Sequence, residues 1–361
     1  MTSGPVAIVE RAPTPYRRAV FNEIGKRRDV TVYYYLSDGS GDRWSPDSAS
    51  GEGSFDEKIL PSIRVGPFLL VPTLPCHLLR GEFEEVVGTS DTNLVPTMLL
   101  ILPFIIIKNS IFTIWTEEID TNYRYNRYQQ QSLLKHFLAL AFWKSTGMGQ
   151  RILYQTSDRI IAYSELARDA ALNKDASNSK IITRPQAIDP SILSTPSSNF
   201  EPPQGEPTIL FLGTVERRKG VDVLVNSIDD FPDSAKVWIA GEGPLRDPIE
   251  TVTTSDNRVE IFGRVSESTK TKLLQQTDVL VLPSRHEPWG IVVLEALACG
   301  TPAITTSSAG AAMILDESSI VDPENPQQLA EAVLSVIGTE PPNPPDVHEM
   351  AEPLYYTESL K

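Results

Sequence analysis

Two glutamates and a run of three cations hold the residue types and spacings that could do chemistry in this chain. Glu287 and Glu295 stand eight residues apart in VLVLPSRHEPWGIVVLEALACGTPAI, from Val279 to Ile304, and Arg217, Arg218 and Lys219 stand together in GTVERRKG, from Gly213 to Gly220. Glu295 is set among Ile, Val, Leu and Ala, where an unpaired carboxylate costs on the order of several kcal/mol, so it requires donors. A vicinal diol such as a ribose offers two hydroxyls at carboxylate spacing, while backbone N–H groups at a helix start around Gly290 and Ile291 suit a phosphate. Three adjacent cations beside glycine backbone suit a diphosphate. Each feature taken singly also has an ordinary reading: an acid near a helix start favours the helix dipole, a second acid faces solvent, and cations wet a surface.

The elements that must position these groups follow from the pattern around them. Val279 to Leu282 is a short, β-branched apolar run closed by Pro283, which reads as a buried strand. Ser284 to Glu287 is a polar loop, Pro288 and Gly290 open the helix Ile291 to Ala298, and Gly300 is placed as its left-handed terminator. Thr301 to Thr305 starts the next strand. Thr208 to Leu212 is likewise a strand, and the cationic turn follows it directly. Both candidate loops therefore lie at the carboxyl ends of parallel strands, where open α/β sheets place ligands.

Read together, these segments resemble the retaining nucleotide-sugar glycosyltransferases of family 4, which have the GT-B fold. Pro283-Ser284-Arg285-His286-Glu287-Pro288-Trp289-Gly290 and Glu295-Ala296-Leu297-Ala298-Cys299-Gly300-Thr301-Pro302 match that family's double-glutamate signature, and Gly213 to Gly220 matches its Gly-Arg-Leu-x-x-x-Lys-Gly motif except that Thr214 replaces the arginine. The resemblance implies Glu287 on donor-sugar hydroxyls, Glu295 on the ribose and Lys219 on the diphosphate, with Arg217 or Arg218 supplying the charge that Thr214 lacks. It further implies that Gly213, Thr214, Gly241, Gly243, Phe262, Arg264, Ser284, Gly290 and Ile291 border the nucleotide. The expected fold is α/β, with two doubly wound Rossmann-like domains facing across a cleft. The expected boundaries are an acceptor-binding domain over 1–190, a Pro- and Ser-rich linker over 191–207, a donor-binding domain over 208–340 and a closing segment over 341–361 that packs back on the first domain.

Composition agrees with this class and excludes others. The 361 residues have room for two ordinary α/β domains. A net charge of -15 argues against a nucleic-acid partner, whose phosphates would be repelled. Two cysteines, Cys76 and Cys299, make no disulfide framework, and Glu10 and Arg11 interrupt the first apolar run, so no signal peptide is expected and a cytoplasmic setting is the default. No metal-ligand cluster and no prosthetic group are expected. No glycine-rich dinucleotide fingerprint follows the first strand, Val6 to Val9, which argues against a nicotinamide dehydrogenase.

The first half is less explicit. Ala12 to Arg18 reads as a loop, Ala19 to Arg28 as an amphipathic helix and Val30 to Leu36 as a strand, followed by a Gly- and Ser-rich loop over Ser37 to Phe55. Leu94 to Ile107 is the most apolar stretch, too short to span a bilayer, and reads as a buried helix in preference to one dipping into a membrane surface. Glu117, Glu118 and Asp120, after the strand Ile111 to Trp115, are candidates to meet an acceptor hydroxyl. Tyr123, Arg124, Tyr125, Arg127 and Tyr128 suit a phosphate or sugar face or the cover of a helix, and His136 reads as a helix-face histidine. The implied donor is a UDP- or GDP-sugar, and the implied acceptor a saccharide or lipid-linked saccharide, with peripheral contact to the inner face of the cell membrane left open. Two rivals stay open as well: an epimerase of the same fold, and an inactive nucleotide-sugar-binding protein.

Overall fold

The computed structural model describes residues 4–35, 53–119, 133–189, 191, 193, 201–202 and 206–355, with the side chains of 133–143 outside that description. Ser37 to Gly51, Asp120, the Tyr and Arg residues of 123–128 and most of the 191–207 linker fall outside the described residues. The chain gathers into two compact units, Met1–Arg184 with Val347–Lys361, and Pro185–Asp346. Residues 185–189, expected in the first domain, thus cluster with the second.

The first unit is a seven-stranded sheet. Its strands are β1 (Val6–Glu10), β2 (Val30–Tyr34), β3 (Asp56–Ile59), β6 (Glu85–Thr89), β7 (Ile111–Thr116), β8 (Arg159–Ala162) and β9 (Ile181–Thr183), while β4 (Ile63–Val65) and β5 (Phe68–Leu70) form a small antiparallel pair. The order is β3-β2-β1-β6-β7-β8-β9, parallel throughout. Parallel strands covered on both faces read as apolar runs, and Val6, Ala7, Ile8, Val30, Val32, Ile160 and Ile161 are accordingly buried to within about 1%. The chain reverses direction along the sheet at β1 and β6, whose following loops diverge.

Two features of this unit differ from the sequence expectation. Tyr16, Arg17 and Arg18 are not in a loop: the helix begins at Pro15 and runs Pro15–Gly25, because a proline is preorganised for a first turn and lacks only an N–H that would find no partner there. Arg17 is then buried, its guanidinium 4.5 Å from the Tyr163 ring centre and 4.9 Å from that of Trp115. The helix Val95–Lys108 buries Met98, Ile101, Leu102 and Ile105 as expected, but Leu100, Ile106 and Ile107 on its other side are exposed, so it is apolar nearly all round and buried on one face only. Among the described residues no helix is long and apolar enough to cross a membrane.

The tail of the chain completes this unit. Val347–Ala351 is helical and packs on Pro15–Gly25, and the turn after it brings carbonyls to two buried arginines. Arg28 Nη1 donates to the Leu354 carbonyl at 3.0 Å and to Glu85 Oε2 at 2.6 Å, and Arg159 Nη1 donates to the Pro353 carbonyl and lies 3.6 Å from Glu85 Oε1. Thr113 Oγ1 donates to the same Glu85 carboxylate at 2.5 Å. Glu85 is thus a buried charge with every side met, which is the condition for burying one at all.

The second unit is a six-stranded sheet of β10 (Thr208–Leu212), β11 (Lys236–Ala240), β12 (Val259–Gly263), β13 (Val279–Leu282), β14 (Ala303–Thr306) and β15 (Ile320–Val321), in the order β12-β11-β10-β13-β14-β15 and again parallel. Ile209 pairs with Val279 and with Val237, which sets the ends of β10, β11 and β13 level. The core of Ile209, Phe211, Val237, Ile239, Val279, Val281 and Ile304 is closed by the helices Val221–Asn226 and Pro326–Val336. Here the direction reverses at β10, between β11 on one side and β13 on the other. The two candidate loops follow β10 and β13.

Candidate functional site

Lys219, Glu287 and Arg218 meet where those two loops diverge. After β10 the backbone crosses Gly213 and the exposed Thr214, winds into a 3₁₀ turn over Arg217–Lys219 and leaves through Gly220. Gly220 has φ +70 and no room for a side chain, since a Cβ there would overlap the Pro283 carbonyl oxygen. This close approach docks the cationic turn against the loop after β13. Arg285 locks the same contact from the other side. Its guanidinium grips Asp222 with two bonds of 2.7 and 2.9 Å, donates to Glu324 at 2.6 Å and to the Arg217 carbonyl at 2.6 Å, and its N–H donates to the Arg218 carbonyl at 2.9 Å.

The result is a carboxylate held by two cations. Lys219 Nζ contacts Glu287 Oε2, and Arg218 Nη1 reaches the same oxygen at 3.4 Å while donating to the His286 carbonyl at 3.0 Å. Arg218 also pairs with Glu216 at 2.9 Å. Arg217 is turned away: its side chain is 72% exposed and lies 3.8 Å from Glu324. Of the two arginines left open by the sequence, Arg218 is the one brought beside Lys219. Glu287 is buried, and its backbone is fixed by bonds to the Ser308 carbonyl and from the Gly310 N–H, both 3.1 Å. Ser284 is fully buried, and its Oγ has no hydrogen-bond partner among the described residues.

Glu295 sits on the second turn of the helix Ile291–Ala298, which starts at Gly290 with φ +103. The sequence leaves its donors to a ligand. The structure supplies one from the protein: Lys270 Nζ, on the helix Glu267–Gln276, donates to Glu295 Oε1 at 2.7 Å and also pairs with Glu267 at 2.5 Å. Burial works to lower the Lys270 pKa, but the Glu295 and Glu267 carboxylates outweigh it and the ammonium is held above its ordinary value. Next along, burial and then the Glu295 charge push the Cys299 thiol up to about 11, so it stays protonated. Lys219 and Glu295 therefore belong to two separate ion pairs.

The remaining candidates border the ends of β10, β11 and β12. Gly213 N–H donates to the Ala240 carbonyl at 3.0 Å, Gly241 N–H to the Gly263 carbonyl at 2.8 Å, and Val215 N–H to the Glu242 carbonyl at 3.0 Å, so backbone bonds lace the three loops together. The Gly243 carbonyl accepts from Arg246 at 3.1 Å as the helix Arg246–Thr253 begins. Phe262 lies edge-on to Trp238 at 6.3 Å, and Arg264 is exposed with its N–H on Glu242 at 3.3 Å. In the first unit Glu118 accepts from Thr92 Oγ1 at 3.3 Å, and His136 lies in the helix Leu133–Thr156. No group of His, Cys, Asp or Glu that could hold a metal occurs among the described residues.

Two residues of this site escape the sequence. Lys270 is 25 residues from its carboxylate and Arg285 is 63 from its own, so no local pattern announces either pairing. For Arg285 a signal existed in its place inside the Pro283 to Gly290 motif; for Lys270 none did.

Two doubly wound α/β units with their loops at the strand ends define the GT-B class. The fold is similar over 99% of this chain, and 96% of the other, to that of HepE from Anabaena in complex with UDP-glucose, with a TM-score of 0.65 at 13% identity. Residues 197–352 match the family model for glycosyl transferases group 1. An uncharacterised glycosyltransferase of Methanocaldococcus jannaschii is 36% identical over 140 residues, which is 37% of this chain and 36% of that protein. A GDP-mannose-dependent alpha-(1-6)-phosphatidylinositol dimannoside mannosyltransferase of Mycobacterium tuberculosis is 35% identical over 121 residues, 33% of this chain and 31% of that one. The chain thus spans only about a third of the length of these relatives in sequence.

Proposed function

We propose that this protein is a retaining glycosyltransferase that moves a sugar from a nucleotide diphospho-sugar to a saccharide or lipid-linked saccharide. The observation that carries the reading is the clamp of Lys219 and Arg218 on Glu287 where the loops after β10 and β13 part. A donor diphosphate entering there takes the two cations, and the released Glu287 carboxylate is available to donor-sugar hydroxyls. As the sugar develops oxocarbenium character, charge grows on the leaving diphosphate, and cations fixed by Arg285 and Gly220 act where it grows. The helix start at Gly290 and Ile291 adds backbone donors on the same side of the sheet. Glu295 receives the ribose, and Phe262, Arg264 and the glycines of 213, 241 and 243 border the nucleotide.

The donor is a UDP- or GDP-sugar, a reading supported by the UDP-glucose of HepE and the GDP-mannose of the mycobacterial relative. The latter's name, together with the exposed Leu100, Ile106 and Ile107, supports a lipid-linked acceptor met at the inner face of the cell membrane. A melting-point screen against UDP-, GDP- and ADP-sugars identifies the donor, because ligand bound to the native state raises its melting temperature. Sugar released to acceptor with retained configuration supports the reading. An altered sugar from donor alone makes the protein an epimerase, and donor binding with transfer to no acceptor makes it an inactive binder; either result overturns it.

A further inference from the structure

We infer that Lys270 is a positioning residue for Glu295, and through it sets how strictly the nucleotide site demands a ribose hydroxyl. The inference rests on the proposed assignment of Glu295 to the ribose. A glutamate has three rotatable bonds, and a carboxylate that must meet two vicinal hydroxyls recognises them only if its plane is set beforehand. The helix Ile291–Ala298 alone does not set it: Val293, Leu294, Ala296 and Leu297 fill the buried face, and the Glu295 side chain lies off it, 14% exposed.

Lys270 supplies the missing constraint. Its Nζ holds Oε1 at 2.7 Å, and the ammonium is itself held, 16% exposed, by Glu267 one turn earlier. The Glu267–Gln276 helix that carries it is anchored at both ends. Ser266 Oγ accepts from the Thr269 N–H at its start, and Thr301 Oγ1, just beyond the partner helix, donates to the Leu274 carbonyl near its end. The lysine is therefore a preset arm, and the carboxylate it grips is oriented and charge-compensated before any nucleotide arrives. A diol then meets an acceptor already aimed, and loss of one hydroxyl leaves a fixed acceptor without its donor, which makes discrimination steep.

The experiment is calorimetric titration of UDP against 2′-deoxy-UDP, and GDP against 2′-deoxy-GDP, with the wild type, Glu295→Ala, Lys270→Met and Lys270→Arg. The wild type should favour the ribo form of its cognate nucleotide by about tenfold, the scale of a hydrogen bond to a charged group. Glu295→Ala should flatten that ratio to near unity, Lys270→Met should bring it below about threefold, and Lys270→Arg should keep most of it. A merely structural lysine would weaken both nucleotides equally and leave the ratio intact, so an unchanged ratio in a folded Lys270→Met overturns the inference. If Lys270→Met does not fold, Lys270→Arg with a ratio as flat as Glu295→Ala overturns it instead. A wild-type ratio in Glu295→Ala defeats the ribose assignment first, and the two failures are thereby told apart.

Discussion

Glu85 in the first unit meets Arg28 and Arg159 with all three side chains between 0 and 2% exposed, whereas Glu287 in the second meets Lys219 and Arg218 with side chains 10, 15 and 28% exposed. The ions are of the same kind, and their surroundings decide what they do. Around Glu85 further bonds come from Thr113 to the carboxylate and from the arginines to the carbonyls of Pro353 and Leu354, and the cluster is closed to solvent. Around Glu287 the two cations belong to the turn after β10 and keep partial exposure, so on the proposed function an incoming diphosphate can take them from the carboxylate at small cost in desolvation. A closed ion cluster holds a fold, and on the proposed function the half-open one holds a place for a ligand.

Four substitutions break or sharpen this contrast. Glu85→Ala strands two buried guanidinium groups and should cost about 3–5 kcal/mol in urea unfolding, with nucleotide affinity of the folded fraction unchanged. Lys219→Ala should do the reverse, lowering turnover at least about a hundredfold in a sugar-transfer assay while the melting temperature moves little. Near-normal turnover would remove Lys219 from the leaving-group role. Glu295→Ala should weaken donor binding about tenfold by calorimetry with a smaller effect on turnover, and unchanged affinity would count against its contact with the ribose.

The smallest effect lies in the first unit again. The Lys26 ammonium, with help from His348 and Arg27 and against the cost of burial, lowers the Glu23 carboxyl from the ordinary 4.5 to about 2. A depressed carboxyl contributes stability above its unfolded pKa and loses it as pH falls through the folded one, so this contribution is whole above about pH 4.5 and gone by about pH 2. Glu23→Gln should therefore lower the melting temperature at pH 6 by the equivalent of about 1 kcal/mol or less, since solvent screens the pair, and the gap should close towards pH 2.

The second unit was legible because its chemistry is local. The loop from Pro283 to Gly290, the helix from Ile291 to Ala298 and the left-handed Gly300 are each written in consecutive residues, and they appear where the pattern puts them. The first unit spreads its information. Asp56–Ile59 reads Asp-Glu-Lys-Ile, exposed at each position and without alternation, and becomes an edge strand because β2 offers it a ladder. Pro15 looked like loop punctuation and proved to be a helix start, since the same fixed φ serves both. In the site itself Lys219, Glu287 and Glu295 were singled out by the motif resemblance and not by spacing alone, while the choice between Arg217 and Arg218 was left open. Neighbours in sequence point opposite ways around a 3₁₀ turn, and only Glu287 and Glu324 on other segments reveal which way each goes.

The return of Val347–Ala351 and the carbonyls of Pro353 and Leu354 to the first unit has a consequence for how the molecule is made. A polypeptide leaving the ribosome amino end first exposes Pro185–Asp346 in full while Arg28 and Arg159 still await their last acceptors. The second unit can mature on a tethered nascent chain, and the half begun earliest must finish last.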